Sequence, residues 1–125
     1  MISILPKADR VVIPIEKFTM YVLNPECDKD KAIAFARALG YSLNNWAALI
    51  EDIRDNITNF PATIKPDLGH GQRYEIIMEL TGPNGKTASV LTAWIDDKRN
   101  GEMRLMNAYV DKRKGANLWL NYITK

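Results

Sequence analysis

The segment from Pro66 to Arg73 holds the residue types best suited to moving a proton beside a phosphate. His70 stands between Gly69 and Gly71, a setting that predicts an exposed loop at the entry to a strand. An imidazole suits general acid–base chemistry at neutral pH, and an arginine offers a bidentate fork to a phosphate. Spacing alone favours the simpler outcome, a surface histidine between turn glycines, so the catalytic interpretation needs further residues.

Two more basic residues fall on strands that are predicted to neighbour the strand of Arg73. Lys86 and Arg104 belong to the second and third strands of an antiparallel meander, so three cationic side chains can converge on one face. The same face carries Glu75 and Glu79. The alternation by itself favours an ordinary solvated face, and the phosphate site is the alternative.

The third predicted strand contains two polar positions among apolar ones. Asn107 alternates with Met103, Leu105 and Tyr109, which places it on the predicted core face. A buried amide needs hydrogen-bond partners, so Asn107 is either a satisfied structural group or a ligand for substrate. Tyr109 either packs in the core or stacks on a base.

Composition excludes several other chemistries. The chain has 125 residues, with one cysteine and one histidine, so it can form neither an internal disulfide nor a Cys/His zinc cluster. Paired histidines for RNA cleavage are excluded by the same count. Cys27 lies among acidic residues, which disfavour a reactive thiolate. We therefore expect no metal and no cofactor.

The charge balance permits a polyanionic partner without requiring one. Residues 1–60 carry seven basic against eight acidic side chains, and residues 61–125 carry ten against seven. No apolar run approaches the roughly 18 residues of a membrane span, and the first residues lack a signal-peptide pattern. We expect a cytoplasmic protein that does not bind membranes and shows no DNA specificity.

Two helices are expected before any regular strand. Apolar residues recur at helical spacing over Asp30–Leu39, with Asp28 or Asp30 as the cap and Gly40 after the end. Ser42 is a plausible cap for a second helix whose apolar stripe runs to Ile57. The first 27 residues, cut by three prolines, predict an irregular arm with a helical turn near Ile15–Tyr21.

Beyond Pro66 the hydrophobic period changes to that of strands. Alternation over Arg73–Leu80, a hairpin signal at Asn84-Gly85 and apolar runs over Lys86–Ile95 and Met103–Val110 predict an antiparallel meander. The fold class is thus α+β, with two N-terminal helices followed by an antiparallel β-meander of three to four strands. The segment Asp111–Lys125 is either a further strand or a short helix.

The order and spacing of several short motifs resemble a bacterial domain family of unassigned function. The match runs from about residue 12 to residue 112. The motifs are YVLNP at 21–25, DKA at 30–32, LGY at 39–41, NW at 45–46, GQRY at 71–74, LTGPNGK at 80–86, TAWI at 92–95 and RLMNAY at 104–109.

The resemblance implies a toxin-like role. Such domains occur as standalone proteins and as the tips of polymorphic toxins, and their element order is similar to that of the barnase/EndoU/colicin/RelE-like ribonucleases. Two positions depart from the family pattern: Asn107 replaces a threonine, and Arg73 replaces a lysine, which leaves no ready base there. We expect a single toxin-like domain over residues 1–125, with an arm at 1–27, helices at 28–60 and the sheet at 71–125.

The resulting hypothesis is a metal-independent ribonuclease toxin or toxin-like effector. We expect His70 to exchange a proton with the ribose 2′-hydroxyl or the leaving oxygen, while Arg73 and Lys86 stabilise charge on the phosphate. Asn107, Tyr109 and Arg104 are expected to bind the substrate. 

The expected partners are RNA, with transfer RNA as one candidate, and a cognate antitoxin or immunity protein. The alternative is a non-catalytic protein-binding module, such as an immunity or regulatory partner in a toxin or phage system. The two hypotheses differ in whether the candidate residues share one cleft.

Overall fold

The computed structural model of the protein describes residues 3–111. The expectations for the segment that follows Asp111, including the apolar residues Leu118–Ile123, concern residues outside this described part. Within it, helices precede an antiparallel sheet, which confirms the α+β class. The regular elements are α1 at Lys29–Leu39, α2 at Trp46–Asn56, β1 at Ala62–Lys65, β2 at Gly71–Thr81, β3 at Thr87–Asp97 and β4 at Glu102–Val110.

Local capping signals fix both ends of α1. The Asp28 carboxylate accepts a hydrogen bond from the backbone N–H of Lys31 at 3.0 Å, which satisfies one of the free donors of the first turn. At the other end Gly40 adopts φ 87°, and its N–H donates to the carbonyls of Phe35 and Ala36. A glycine takes this left-handed conformation without steric cost, so the helix ends where the sequence predicts.

The second helix begins with a tighter turn than expected. Ser42 and Asn45 form a reciprocal capping box around a 3-10 turn at Leu43–Asn45, and α2 itself begins only at Trp46. Leu49 and Ile53 on α2 are fully buried against the sheet, as the apolar stripe predicts.

The sheet has the strand order β1-β2-β3-β4, and each neighbouring pair is antiparallel. The strand β1 is not part of the predicted meander. It has only four residues, and although Ala62 and Ile64 alternate with polar residues, so short a run carries too little periodic signal to identify a strand. The Gly82–Lys86 segment joins β2 to β3, with Gly85 at φ 82° in the expected hairpin turn.

The N-terminal arm is irregular but attached to the sheet. Val12 forms a parallel bridge with β4: its N–H donates to the Met103 carbonyl at 2.8 Å, and its own carbonyl accepts from Leu105 at 3.0 Å. The expected helical turn is a π-helical segment at Lys17–Val22, which buries Phe18 in the core. The arm therefore covers the β4 edge of the sheet.

Trp94 is the largest fully buried side chain, and a short polar chain satisfies its indole N–H. The indole donates to the Thr92 hydroxyl at 2.8 Å, and that hydroxyl donates to the Ile76 carbonyl at 3.0 Å. All three residues are 0% exposed, so no solvent can replace either bond.

Replacing Thr92 with valine keeps the side-chain shape but leaves the indole N–H without an acceptor. We expect Thr92→Val to lower the free energy of unfolding by about 1–3 kcal/mol, the usual cost of an unsatisfied buried donor. Urea denaturation measures the change. The matched control is Thr87→Val, at an exposed threonine pair, where we expect a change within about 0.5 kcal/mol. Equal effects at the two positions would contradict this role for Thr92.

Candidate functional site

The loop between β1 and β2 presents His70 at the surface, and its shape is held by backbone contacts. The Asp67 carboxylate accepts hydrogen bonds from the N–H groups of Gly69 at 2.7 Å and Gly71 at 3.3 Å. These bonds, the one from Gly69 foremost, lower the pKa of Asp67. The carbonyl of His70 accepts from the N–H of Lys98 at 3.1 Å, so the loop is tied to the end of β3.

Close backbone approach explains the glycine that follows the histidine. Gly71 has φ 139°, and a Cβ atom there would lie 2.0 Å from the carbonyl oxygen of Asp96. A side chain at this position would push the His70 loop away from β3. The glycine therefore allows the His70 loop to lie against the β3–β4 turn.

His70 opens onto a cleft of about 440 Å³ on the sheet face that carries Arg73 and Arg104, the face away from the buried Trp94. Its cationic and titratable lining comes from three segments: the β1–β2 loop, the outer faces of β2 and β4, and the β3–β4 turn. The lining residues are Leu68, His70, Gly71, Arg73, Ile95, Asp97, Arg99, Arg104 and Met106.

Strand register brings Arg73 and Arg104 to opposite sides of the cleft floor. Both residues pair with Ile95, Arg73 from β2 and Arg104 from β4. Their Cα atoms are thus about two strand spacings, or about 10 Å, apart. This separation lets two guanidinium groups reach toward one anion from both sides.

Neither arginine has its hydrogen-bonding capacity filled within the described part of the chain. Arg104 Nη2 donates to Glu102 at 3.3 Å, but Arg104 Nε is buried and has no acceptor. The Arg73 guanidinium makes no hydrogen bond or ion pair among residues 3–111. A buried N–H without an acceptor is costly, and an anionic ligand in the cleft would supply one.

Asp97 and Arg99 form a separate, satisfied unit at the cleft rim. The Asp97 carboxylate accepts from Arg99 Nη2 at 2.8 Å, from Nε at 3.1 Å and from the backbone N–H at 2.9 Å. These hydrogen bonds, the side-chain ones foremost, lower the pKa of Asp97 to about 2. Asp97 thus stays ionised at neutral pH and cannot donate a proton there.

Lys86 does not join this cleft. It lies in the turn that follows Thr81, and Thr81 is itself eight residues, or about 27 Å, from Arg73 along β2. Because β2 and β3 are antiparallel, Lys86 lies beside the C-terminal end of β2. Arg73 lies near the N-terminal end of the same strand. The expected convergence of three cations is therefore wrong for Lys86 and holds for Arg73 and Arg104.

A β-bulge changes the faces of Asn107 and Tyr109. Ala93 pairs with Asn107 while Trp94 pairs with Leu105, so Met106 is an extra residue in β4. Beyond the bulge Ala108 enters the core, so alternation along the strand places Asn107 and Tyr109 on the outer face instead of the predicted core face.

The outer face beyond the bulge borders a second cavity of about 340 Å³, which shares Met106 with the first. Asn107 Oδ1 accepts a hydrogen bond from Lys31 Nζ at 2.9 Å. Lys31 Nζ also lies 5.9 Å from the centre of the Tyr109 ring. The other lining residues are Lys17, Tyr21, Val22, Cys27 and Asp28.

Sequence patterns missed Arg99, Lys17, Tyr21 and Lys31. Arg99 lies in a turn, and turn residues carry no face assignment that periodicity can detect. The other three belong to the arm and α1, which reach β4 only through tertiary packing. Lys31 was visible as part of the DKA motif, but only the fold pairs it with Asn107.

No group of three or more His, Cys, Asp or Glu side chains within residues 3–111 is arranged to bind a metal ion. Helices long and apolar enough to cross a bilayer are also absent from that part of the chain.

The chain belongs to a family described as a domain of unknown function (DUF6883), whose model matches residues 4–112. This agrees with the resemblance to a domain family of unassigned function over about the same range. The comparison with curated proteins gives no match.

A solved structure with a similar fold is a contact-dependent growth inhibition toxin–immunity protein complex from Klebsiella pneumoniae 342. One chain of that complex superposes with a TM-score of 0.57 and 17% sequence identity, over 80% of this chain and 99% of that chain. At this identity the likeness shows a shared fold.

The Asp97–Arg99 unit predicts how stability responds to acid. The folded-state pKa of Asp97 is below its ordinary value near 4, so its ionised form stabilises the fold above that range, and the contribution is lost as pH falls toward 2. We expect the free energy of unfolding of Asp97→Asn to fall less steeply between pH 4 and pH 2 than that of the parent protein. Urea denaturation at a series of pH values tests this, and identical slopes would contradict it.

Proposed function

We propose that the protein is a metal-independent endoribonuclease, a toxin or toxin-like effector that cleaves RNA in the cleft beside His70. The observation that carries the proposal is the placement of one imidazole and three guanidinium groups around a single cleft. Within it, the buried Nε of Arg104 has no acceptor among residues 3–111. A phosphodiester supplies such acceptors, and its charge matches the cleft.

In the proposed reaction the ribose 2′-oxygen attacks the adjacent phosphorus. His70 accepts the 2′-hydroxyl proton as the new O–P bond forms, and the bond from phosphorus to the 5′-oxygen breaks. The products are a 2′,3′-cyclic phosphate and a 5′-hydroxyl, whose proton comes from solvent because Asp97 is ionised at neutral pH. The reaction moves protons and one phosphoryl bond and needs no redox partner.

Arg73 and Arg104 stabilise the extra negative charge that develops on the phosphoryl oxygens. Their positions on opposite sides of Ile95 allow contacts to two different oxygens. Both side chains project from strands that pair with β3, so little reorganisation is needed when the charge appears. Preorganised donors of this kind contribute strongly to the rate. Arg99 is ion-paired with Asp97 and is assigned to the rim, where it attracts the substrate.

The fold likeness supports the toxin side of the proposal and suggests a second partner. The similar structure comes from a complex that contains a toxin and an immunity protein. A cytoplasmic ribonuclease must be neutralised in the cell that makes it, so we assign this chain a cognate antitoxin or immunity protein as a partner. The proposed chemistry uses no cofactor.

The first experiment is incubation of the purified protein with total RNA and with transfer RNA, with and without EDTA. We expect fragments that end in 2′,3′-cyclic phosphate in both conditions. His70→Ala should reduce the cleavage rate by about 10²–10⁴-fold, the usual range for a general base. Arg73→Ala should reduce it by about 10²–10³-fold, as for loss of one charge-stabilising donor.

Lys86→Ala is the matched control, because it removes an exposed cation from the distant hairpin turn. We expect this variant to cleave RNA at the rate of the parent protein. Cleavage that survives the combined change of His70 and Arg73 to alanine would sink the proposed site. Cleavage lost in Lys86→Ala alone would move the site to the other end of the sheet.

One observation favours the alternative, a non-catalytic protein-binding module. An apolar groove of about 270 Å³ lies between α1 and the turn at Leu43–Asn45, lined by Leu23, Ile33 and Leu43. Leu43 is 39% exposed there. Intact RNA at high protein concentration would favour this alternative, and a groove substitution such as Leu43→Asp would then be expected to abolish partner capture.

A further inference from the structure

We propose that the second cavity on the outer face of β4 is a nucleotide-binding subsite that holds a base next to the cleaved phosphate. This inference rests on the proposed ribonuclease function and names the form of its substrate, a single strand that crosses Met106 from one cavity to the other. The subsite is defined by Lys17, Tyr21, Lys31 and Asn107. None of these residues has a role in the reaction proposed above.

The two cavities form one track because of the bulge in β4. Met106 and its neighbour Asn107 both lie on the outer face, so Met106 lines the cleft of Arg104 and also the second cavity. Asn107 lies three positions after Arg104 along the strand, which is about 10 Å. A ligand that occupies the cleft and extends by one unit along β4 therefore enters the second cavity.

The orientation of the Asn107 amide is fixed by its neighbours. Both Lys31 Nζ and the backbone N–H of Ala108 donate to Asn107 Oδ1, each at 2.9 Å. Because both partners are donors, the oxygen must face them, and the Nδ2 amino group is the end that faces away. Among residues 3–111 this amino group has no acceptor, so it offers two N–H donors to a ligand.

Lys31 is a positioning residue in this arrangement. Its ammonium is held by Asn107, by Asp28 Oδ2 at 3.9 Å and over the ring of Tyr109 at 5.9 Å. Its side chain is only 21% exposed, so it reaches a ligand poorly but orders the amide well. Tyr109 contributes through Lys31, which gives it an indirect role in substrate binding.

The remaining two residues supply a stacking surface and a free charge. Tyr21 is 51% exposed and lines the cavity, so its ring is open to a base. Aromatic rings bind unpaired bases by stacking, whereas paired bases keep their faces inside the duplex. The Lys17 backbone N–H donates to Pro14, but its ammonium group has no ion pair or hydrogen bond within residues 3–111 and is available to a phosphate.

These features together select the chemistry of the ligand. Tyr21 can stack only on a base whose face is exposed. Asn107 can bind only an acceptor on the base edge, because its Oδ1 already accepts from Lys31 and Ala108. The Lys17 ammonium attracts the phosphates of the nucleic-acid backbone. An unpaired nucleotide in single-stranded RNA meets all three requirements.

The test measures binding without cleavage. The probe is a fluorescent single-stranded RNA of about eight nucleotides in which each ribose is 2′-O-methylated, since the proposed reaction needs a free 2′-hydroxyl. Tyr21→Ala should weaken binding by about 5- to 100-fold, the range for loss of one stacked base. Asn107→Asp should also weaken binding, because it replaces the donors with a carboxylate.

Met20→Ala is the matched control for Tyr21→Ala. Met20 is the neighbouring residue, is 55% exposed and does not line the cavity. We expect this variant to bind the probe like the parent protein. The same probe annealed to its complement should bind more weakly than the single strand.

Cys27 gives an independent readout, because this only cysteine of the chain is exposed and lines the same cavity. The bound single strand should slow its alkylation by iodoacetamide in the parent protein. The slowing should be smaller in Tyr21→Ala.

The outcomes separate the two proposals. Probe binding that depends on Tyr21 and protects Cys27 supports the subsite, even where His70→Ala shows that cleavage occurs elsewhere. If the probe binds Tyr21→Ala and Asn107→Asp as it binds the parent protein, and does not slow Cys27 alkylation, the subsite is overturned. RNA cleavage by the parent protein would still support the proposed reaction in that case. Absence of both binding and cleavage overturns both.

Discussion

The pairing of β3 with both of its neighbours sets the position of each side chain in the cleft. Ile95 pairs with Arg73 on one side and with Arg104 on the other, so two cations flank an apolar floor. Trp94, the preceding residue in β3, points to the opposite face and is fully buried. A slip of one residue in this register would exchange the two faces, burying charge and exposing the indole. The core thus enforces the arrangement of the site.

Some of the guanidinium groups in the cleft have an acidic partner, and others have unused hydrogen-bond donors. Asp97 pairs with Arg99, whereas the Arg73 guanidinium and the Nε of Arg104 lack partners within the described residues. Unfilled donors on a rigid sheet favour a ligand that brings its own acceptors. The same logic applies beyond the bulge, where Lys31 occupies the acceptor of Asn107 and leaves its donors open. The outer face of β4 is therefore built to donate hydrogen bonds.

The family and the structural relative contribute at different levels. The family model matches residues 4–112, and the family carries no assigned function. The shared fold with a chain of a toxin–immunity protein complex leads to a class of hypotheses, since one fold can carry unrelated functions. The proposed chemistry rests on the residues of the cleft, and the alternative of protein binding rests on the apolar groove beside α1.

The sequence by itself determined the elements that depend on local interactions. Asp28 and Gly40 bound α1 because a cap and a left-handed glycine act within one turn, and alternation identified β2 because its two faces meet different surroundings. Local signals also singled out His70, Arg73 and Arg104. The tertiary structure alone decided the rest, because contacts between distant segments leave no local periodicity. Pairing with β2 makes β1 a strand, and register places Lys86 beyond Thr81, which lies about 27 Å from Arg73 along β2. The bulge at Met106 turns Asn107 outward to meet Lys31, a contact between residues 76 positions apart.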